Sequence, residues 1–484
     1  MTAEQRLSRP LATAARLLHT DEAEVESLFR NARVLVRLDD VLADSADAQS
    51  TLLLAVNEIL RFCPNVAVEA PPGQLALLDT CDALAEDIHG HGARVERGSN
   101  GSLHRFSASL SIGLEIRPGW VAVSSAGWVA RVASGSATST RMPHPDTVPN
   151  PLGALAAASF GAGRIFLILL GHDLVAAPSE LSLFDYRSGP IGTLDPGPPL
   201  PAQLELVTLL IGCGAVSSGW AYAIRRLPIA GAVEAVDRQT LGDENVGPYV
   251  IASIADIGRS KAEIVRELLE TAIVVTPRSE EFHFFKARLR HGQTTVPELV
   301  VAGVDNVETR HQIQRLWPSV VIDMAAGGLT SQVIVKHLSD TGQCLLDAHT
   351  VPPNEEGTVD RLSRMSGLQP GRINHDFEQP VSEDDVAQAP PEFRTSLKEA
   401  RRAGKPRCGY LSDLNLLDEP DHEEFAPAVP FVPAFSGIVA AGETIKHLTA
   451  CSGGSHQFQF SFQSGRARQT TRRCPDTCEC QEAR

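Results

Sequence analysis

The chain has 484 residues, of which 43% are hydrophobic and 21% charged, and a formal net charge of −16. This length allows two or three domains, and the acidic balance argues against a nucleic-acid partner, because phosphate contacts need clustered Lys and Arg. The N-terminus "MTAEQRLSRP" is too polar for a signal peptide. Nine irregularly spaced cysteines are typical of thiols in a reducing compartment, so we expect a cytoplasmic protein.

Residues 1–195 alternate short apolar runs with helical patterns, which is typical of a parallel α/β sheet. The most apolar segment, 151–171, contains Arg164 and four glycines, so we interpret it as a buried helix rather than a membrane span, and expect no membrane partner. The first strand leads into "RVLVRLDDVL", where a nucleotide-binding turn would need glycines. This half is therefore predicted to be a degenerate, inactive domain.

A Pro-rich linker at 196–203 precedes a second alternating pattern at 204–340. Its strand-like runs, joined by helical patterns, predict a doubly wound sheet that binds its ligand at the carboxyl ends of the strands. The predicted fold class is thus α/β, with a mainly parallel Rossmann-like sheet in the C-terminal half and a degenerate half of related architecture before it.

The remaining C-terminal segments complete this second half. Residues 341–426 are polar and Pro-rich, which predicts a partly flexible crossover insertion. A closing helix is expected at 427–450, and a short strand with a Cys/Arg tail at 451–484. The closing helix and the apolar segment at 151 share four residues at an offset of 279, which predicts a duplicated unit: Pro151 and Pro430, Ala162 and Ala441, Gly163 and Gly442, Leu169 and Leu448.

The stretch "LLIGCGAVSSG" has the pattern of a strand, a glycine turn and a helix start. Gly212 and Gly214 are the first two glycines of G-x-G-x-x-G, and Ser217 replaces the third. Such a turn and the helix N-terminus after it form an anion site. Asp237, at the end of the next predicted strand, is placed to bind ribose hydroxyls. These features fit an NAD enzyme and an ATP enzyme equally well.

The residues that follow separate these two classes. A polar loop carries Asn245, "DIGRSKA" carries Lys261, and "AGVDNVETR" carries Asp305 and Arg310. In this order the motifs resemble those of the ThiF-like, ubiquitin-activating superfamily over about residues 205–337. The closing helix at 427–449 resembles that family too, through Pro430, Phe431, Gly437, Glu443 and Lys446.

The resemblance implies that ATP lies over Gly212 and Gly214, with its ribose on Asp237 and with Asn245 and Lys261 near the phosphates. It further implies that Asp305 holds Mg²⁺, a cation that prefers carboxylate ligands, and that Arg310 belongs to the catalytic set. The implied reaction is attack of a protein's C-terminal carboxylate on the α-phosphate, which gives an acyl-adenylate and pyrophosphate.

The most serious departure from the family pattern is at residue 248. Pro248 occupies the position of the family's phosphate-contacting Arg. Either adenylation is slow or another cation replaces that Arg. The replacements that we consider are Arg259, Arg238 and an Arg of the N-terminal half, where the basic residues near the start of the chain are Arg6, Arg9 and Arg16.

Enzymes of this superfamily that pass their cargo on need a thiol in the crossover segment, which here offers Cys408 and Cys344. We favour Cys408, because Lys405 and Arg407 flank it and would stabilise a thiolate. Cys344 lies beside two leucines, and burial would raise its pKa. The alternative is that Cys408 is an unreactive loop thiol.

The family also implies a zinc site built from the crossover segment and the C-terminus. Here the first part is reduced to Cys344 with Asp347 or His349, and the second consists of Cys474, Cys478 and Cys480. The alternative is a disordered tail with unliganded thiols.

Together these features predict a two-halved activating enzyme for a ubiquitin-like protein, which forms a thioester and transfers its cargo to a conjugating enzyme. We expect a pseudo-dimeric chain or a homodimer. In a bacterium the arrangement would resemble conjugation operons linked to antiviral defence. The alternatives are a sulfur-carrier-protein adenylyltransferase, a non-catalytic scaffold, and an NAD-dependent oxidoreductase, which would give no role to Lys261 or Asp305.

Overall fold

The computed structural model describes residues 8–98, 106–134, 141–145, 148–172, 179–349, 358–376, 379–414 and 428–483. The chain divides into two compact units. The first comprises residues 1–305, 309–348 and 426–484, and the second comprises 306–308 and 349–425.

Sixteen strands are found among the described residues. Those of the N-terminal half are β1 Val34–Leu38, β2 Val66–Glu69, β3 Glu96–Arg97, β4 Ala108–Ile112, β5 Val121–Ala126, β6 Val129–Ser134, β7 Ser179–Ser182 and β8 Ser188–Pro190. Those of the C-terminal half are β9 Leu204–Ile211, β10 Ile229–Val236, β11 Ile273–Arg278, β12 Leu299–Ala302, β13 Val320–Gly327, β14 Thr330–His337, β15 His456–Ser461 and β16 Arg466–Thr470.

The strands form two eight-stranded sheets of the same topology. Their orders are β3-β2-β1-β4-β5-β6-β7-β8 and β11-β10-β9-β12-β13-β14-β15-β16. In each sheet the first five strands pair in parallel and the last three continue antiparallel. The fold class predicted from the sequence is confirmed: two mainly parallel, Rossmann-like α/β halves of related architecture.

The helices described in the structure are, in chain order, α1 Ser8–Leu18, α2 Glu22–Asn31, α3 Ala46–Leu60, α4 Leu75–His89, α5 Pro151–Leu169, α6 Ala215–Ile224, α7 Lys261–Leu269, α8 Phe282–Arg290, α9 Val307–Gln314, α10 Leu345–Ala348, α11 Thr358–Ser366, α12 Pro370–His375, α13 Glu383–Gln388, α14 Arg394–Arg402, α15 Arg407–Asp413 and α16 Phe431–Leu448.

The two closing helices, α5 and α16, lie in the core of the first unit. α5 packs on α3 and α16 packs on α6, and the two closing helices also contact each other. α5 begins where Asn150 caps it by accepting a hydrogen bond from the Leu152 N–H (3.0 Å), with Pro151 in its first turn. It is long and apolar enough to cross a membrane, but nearly all of it is buried inside the protein, as in a core helix.

One apolar core joins the two halves of the first unit. The rings of Phe160 on α5 and Phe435 on α16 lie 5.1 Å apart, and both contact Phe460 of β15. Aromatic contacts of this kind bury large apolar areas between the halves. The halves therefore stabilise each other.

The second unit is a small helical module. Its described helices, α11 to α15, enclose a core of their own that includes Leu368, Val386, Leu397 and Leu411. Arg407 and Asp385 are buried beside it and form an ion pair (2.6 Å). The polar composition of this segment had predicted a partly flexible insertion. The helices were not predicted from this composition, because each is short and contributes only one or two residues to the core.

Candidate functional site

The candidate site lies where three neighbouring strands of the second sheet end. Ile211, Val236 and Ala302 are the last residues of β9, β10 and β12, and they stand in register side by side. The loops after them therefore meet at one edge of the sheet, where parallel α/β sheets bind their ligands. These loops begin at the glycine turn, at Asp237 and at Gly303.

The glycine turn has the geometry that the sequence predicts. Gly212 has φ +80°, and its N–H donates to the Val236 carbonyl (2.9 Å). A Cβ at this position would lie 2.8 Å from the Gly303 carbonyl oxygen, so two backbones pass too closely for a side chain. Gly214 is the N-cap of α6, whose first amides therefore face the same edge.

Ser217 ties the helix to this turn. Its hydroxyl donates to the Gly212 carbonyl (2.6 Å) and is buried. A Cβ at Gly303 would overlap the Ser217 hydroxyl. Because Ser217 stands where the family pattern has its third glycine, residue 303 on the neighbouring loop has to be a glycine. Sequence reasoning missed Gly303, whose only local signal is its position directly after a buried strand.

Asp237 links the first two loops. Its Oδ2 accepts a hydrogen bond from the Cys213 N–H (2.6 Å), and its Oδ1 accepts one from the Gln239 N–H (2.7 Å). Burial raises the pKa of Asp237, against the opposing effect of Lys261 and these two amides, and the charge of Asp305 raises it further. The carboxylate of Asp305 is thus close enough to act on Asp237 electrostatically.

Lys261 and Tyr249 form the wall beside this carboxylate. The buried Lys261 ammonium donates to Gln239 Oε1 (2.6 Å) and lies 5.3 Å from the centroid of the Tyr249 ring. Burial lowers the pKa of Lys261, but Tyr249 and Asp237 raise it by more, so the ammonium stays charged. Sequence reasoning missed Tyr249, although it directly follows the Pro248 that marks the departure from the family.

The structure distinguishes the three expected replacements for the family's Arg. Arg259 is paired with Asp256 (2.6 Å) and with Glu267, and Arg238 lies 3.7 Å from Glu281. Arg6 lies outside the described residues. Arg9, in the first turn of α1, acts electrostatically on the site, because its charge opposes the rise in the pKa of Lys261. α1 packs beside the loop that contains residues 243–245.

Two residues of the N-terminal half hold the backbone of the Pro248 loop. Arg61, directly after α3, donates to the carbonyls of Val246 and Ala252 (2.9 Å for the latter), and Asn57 of α3 donates to that of Val250 (2.9 Å). Arg61 is fully buried, and burial lowers its pKa to about 9. The first half therefore sets the position of a loop at the nucleotide site of the second half.

The remaining predicted residues lie close to the same edge. The Asn245 side-chain oxygen accepts a hydrogen bond from the Gly242 N–H (3.0 Å), which shapes the turn before Pro248. Asp305 is exposed beyond the end of β12. Arg310 is buried, with Nε 3.1 Å from Asp323 Oδ1 and with a hydrogen bond to the Asp305 carbonyl (3.3 Å). Its guanidinium thus positions the Asp305 loop.

The equivalent edge of the first sheet carries a different group. β1 ends at Leu38, and the buried Asp39 follows it. A Cβ at Gly113, which follows β4, would overlap the Asp39 carboxylate. A carboxylate at this point repels phosphate, and the loop lacks glycines. The structure thus gives a physical reason for the predicted inactivity of this half.

Four cysteine thiols meet at the other end of the C-terminal half. The Sγ atoms of Cys344, Cys474, Cys478 and Cys480 all lie within 4.8 Å of one another, and Cys344 Sγ is 3.4 Å from both Cys474 Sγ and Cys478 Sγ. Four thiolates around one Zn²⁺ lie about 3.8 Å apart. The set therefore fits tetrahedral zinc, and it does so without Asp347 or His349. The described tail is ordered through this cluster and through β15 and β16.

The cysteine arrangement also bears on the expected thioester residue. Cys344 is fully buried and its sulfur is enclosed by the other three thiols of the cluster, so it is poorly placed to act as a nucleophile. Cys408 falls on α15, and its side chain is outside the described part of the chain. The cations expected to activate it have other partners: Arg407 pairs with Asp385, and Lys405 pairs with Asp413.

An α/β sheet with a glycine turn, a strand-end Asp and a buried Lys defines a nucleotide-binding class of protein. Residues 204–482 match the ThiF family, and residues 33–183 match the BilD N-terminal domain. Because the first match covers more than half of the chain, the chain belongs to the ThiF family. The family resemblance drawn from the sequence is confirmed.

Relatives and solved structures give further likenesses. The uncharacterized protein y4jF of Sinorhizobium fredii (strain NBRC 101917 / NGR234) is 29% identical over 291 residues, which cover 57% of this chain and 52% of that protein. The chain thus spans about half the length of this curated relative. E. coli MccB with MccA-N7isoASN is 13% identical over 56% of this chain and 66% of that chain, with a TM-score of 0.34. PaaA, solved as the selenomethionine protein, is 13% identical over 57% and 65%, also with a TM-score of 0.34.

Proposed function

We propose that this chain uses ATP to adenylate the C-terminal carboxylate of a ubiquitin-like protein, and that its C-terminal half alone carries the nucleotide site. The observation that carries this proposal is the convergence of Gly212, Asp237, Lys261 and Asp305 at one edge of the second sheet. Membership of the ThiF family supports adenylation chemistry at this edge.

In this proposal each residue of the site contacts a different part of ATP or its metal ion. The amides of the glycine turn and of the α6 N-terminus bind phosphate oxygens, and the second lone pairs of the Asp237 carboxylate accept ribose hydroxyls. Asp305 is the exposed carboxylate that would hold Mg²⁺, which neutralises phosphate charge. Lys261 supplies a fixed positive charge beside them.

The proposed reaction needs positioning and positive charge more than a base. An oxygen of the incoming carboxylate forms a bond to the α-phosphorus, and the bond between that phosphorus and the bridging oxygen of the β-phosphate breaks. The electron pair leaves with pyrophosphate. The carboxylate is already deprotonated, so no proton has to be removed.

Arg9 is our choice for the cation that replaces the family's Arg. Its charge acts on Lys261, and α1, which carries Arg9, packs beside the loop that contains residues 243–245. In this proposal the inactive half completes the active half by lending a positive charge to its phosphates.

The proposal is tested by ATP–pyrophosphate exchange with a ubiquitin-like protein that ends in a free glycine carboxylate. Wild type should exchange label, and Asp305→Ala should lower the rate by at least tenfold. Arg9→Ala should also lower it by at least tenfold, because a charge-assisted contact to phosphate is lost. Arg16→Ala, an exposed residue of the same helix, is the matched control and should leave the rate unchanged. Absence of exchange with any such substrate would favour a non-catalytic scaffold.

A second step, thioester formation on Cys408 and transfer to a conjugating enzyme, belongs to the same proposal. Here the Cys408 sulfur would attack the carbonyl carbon of the adenylate and release AMP. A thiol-sensitive adduct that disappears in Cys408→Ala, with pyrophosphate exchange unchanged, would support it. Exchange without any adduct would instead favour the sulfur-carrier-protein adenylyltransferase.

A further inference from the structure

A cavity of about 660 Å³ lies between the two halves, far along the chain from the nucleotide turn. Its floor is formed by α5, through Phe160 and Arg164. One wall comes from the antiparallel strands of the first sheet, and the other comes from the β15–β16 hairpin, through Phe460 and Phe462. Cavities of this size commonly hold small organic ligands.

Arg164 gives this apolar cavity its chemical character. The residue is 8% exposed and lines the cavity, and burial lowers the pKa of its guanidinium without a compensating carboxylate. Within the described ranges, Arg164 has neither an ion pair nor a hydrogen bond. A buried guanidinium without a counter-ion is costly, so a native protein is expected to supply an anion to it.

The acidic residue in the cavity wall is not that counter-ion. Glu180 is already bound by Arg131 (3.1 Å) and by the backbone N–H groups of Gly192 and Thr193 (3.0 and 2.7 Å). Its carboxylate is therefore satisfied by residues of the N-terminal half. A second Arg, the exposed Arg141, also lines the cavity, so the described lining residues carry a net positive charge.

The internal repeat allows the cavity to be compared with the equivalent position in the other half, where a side chain fills the space. At the offset of 279 residues, Arg164 on α5 corresponds to Glu443 on α16, and Gly465 corresponds to Tyr186. Tyr186, in the β7–β8 turn, donates from its hydroxyl to Glu443 and stacks on Phe458, with ring centroids 4.3 Å apart.

At the cavity, the residue equivalent to Tyr186 is a glycine, so no side chain fills the equivalent space. Gly465, in the β15–β16 turn, has φ +66°, close to the +61° of Tyr186. A Cβ at Gly465 would lie 2.8 Å from an Arg164 nitrogen. The glycine thus leaves open the space that a tyrosine fills in the other half, and it leaves it open directly over the unpaired guanidinium.

We infer that this cavity is a second ligand site, which binds the carboxylate of an amphipathic organic acid on Arg164 and its apolar body against the three phenylalanine rings. A single carboxylate matches a single buried guanidinium in charge and can form two parallel hydrogen bonds with it. A phosphate dianion would bring excess charge into an apolar space. This inference does not depend on the proposed adenylation.

The same chemistry is offered by a free alkyl acid and by the C-terminal carboxylate of an apolar peptide. Calorimetric titration of the full chain therefore has two arms, dodecanoate and a short Leu-rich peptide with a free C-terminus. Dodecan-1-ol and the amidated peptide serve as uncharged partners. In at least one arm the acid should bind, and its uncharged partner should bind at least tenfold more weakly.

Three variants assign the binding to this cavity. Arg164→Met should weaken binding at least tenfold, and Gly465→Tyr, which copies the closed half, should abolish it. Arg466→Met removes an exposed charge next to the cavity and should change nothing. Thermal unfolding of each variant without ligand shows whether it is folded. No binding of either acid to wild type, or equal binding to folded Arg164→Met or Gly465→Tyr, would overturn the inference.

Discussion

Individual residues at the strand ends determine whether the C-terminal half can hold a nucleotide. Gly303 and Ser217 show this most clearly, because the Ser217 hydroxyl occupies the space that a side chain at Gly303 would need. The close contact between Ser217 and Gly303 fixes the spacing between two of the three loops.

We predict that Gly303→Ala weakens ATP binding about tenfold or more, because the new Cβ displaces Ser217 and with it the glycine turn. Adding Ser217→Gly should restore part of the affinity, since it removes the group that the Cβ strikes. Titration with ATP and Mg²⁺ across the double-mutant cycle measures this coupling. Strictly additive effects of the two substitutions would contradict it.

The sequence allowed the local members of the site to be predicted. Gly212, Asp237 and Asp305 follow recognisable strands, and the residues near each one carry its signal. Gly303 and Tyr249 were missed because their roles arise from neighbours brought together by the sheet. No spacing along the chain encodes the overlap of Ser217 with Gly303.

At the scale of elements, α3 of the first half positions the Pro248 loop of the second. Arg61 and Asn57 bind carbonyls about 190 residues further along the chain. Such a contact leaves no pattern in a single sequence, and the segment that carries Asn57 and Arg61 was predicted only to be helical.

Replacing Arg61 should therefore affect a site that it does not touch. Arg61→Met leaves the buried carbonyls of Val246 and Ala252 without donors, at a cost of about 1–3 kcal/mol for each buried unsatisfied group. We expect a lower melting temperature and about tenfold weaker ATP binding. Arg94→Met, an exposed residue of the same half, is the control. A destabilised variant with unchanged ATP affinity would contradict the positioning role.

The C-terminal tail is a second element whose order depends on distant partners. Cys344 precedes the other three cysteines by at least 130 residues, so the sequence predicted all four thiols but not that they form the set without Asp347 or His349. We predict one zinc ion per chain, measured by mass spectrometry of the metal content. Cys474→Ser should lose it, whereas Cys451→Ser, an exposed thiol outside the cluster, should keep it. A metal-free wild type would contradict the prediction.

At the scale of the molecule, the two halves form one pseudo-symmetric body with different chemistry at equivalent places. The repeat was predictable from the order of strands and from four identities, and the sheet topology agrees with it. The side-chain contacts between the halves could not be predicted. One of them is the hydrogen bond that the Tyr186 hydroxyl of the first half donates to Glu443 of the second.

The contacts of Glu443 should make the free energy of unfolding depend on pH in the acid range. Burial raises the pKa of Glu443, but Lys446 and His456 lower it by more, to well below its ordinary value of 4.5. A lowered carboxylate pKa gives stability that is present above the unfolded value and is lost as the pH falls through the folded one. The stability difference between wild type and Glu443→Gln should therefore be largest at neutral pH and shrink below about pH 4.5.

Urea unfolding at pH 7, 5, 4 and 3 measures this difference, with the exposed Glu392→Gln as the control. A difference that is independent of pH would mean that Glu443 is not held as a carboxylate by its cationic neighbours.

The two halves are proposed to differ in one respect: the C-terminal half binds nucleotide and the N-terminal half does not. The most direct measurement is the stoichiometry of ATP–Mg²⁺ binding by calorimetry on wild type and on Asp237→Ala. We predict one site per chain, lost or weakened at least tenfold by the substitution. Two sites per chain, or a single site that Asp237→Ala leaves intact, would contradict the assignment of the nucleotide to the edge of the second sheet.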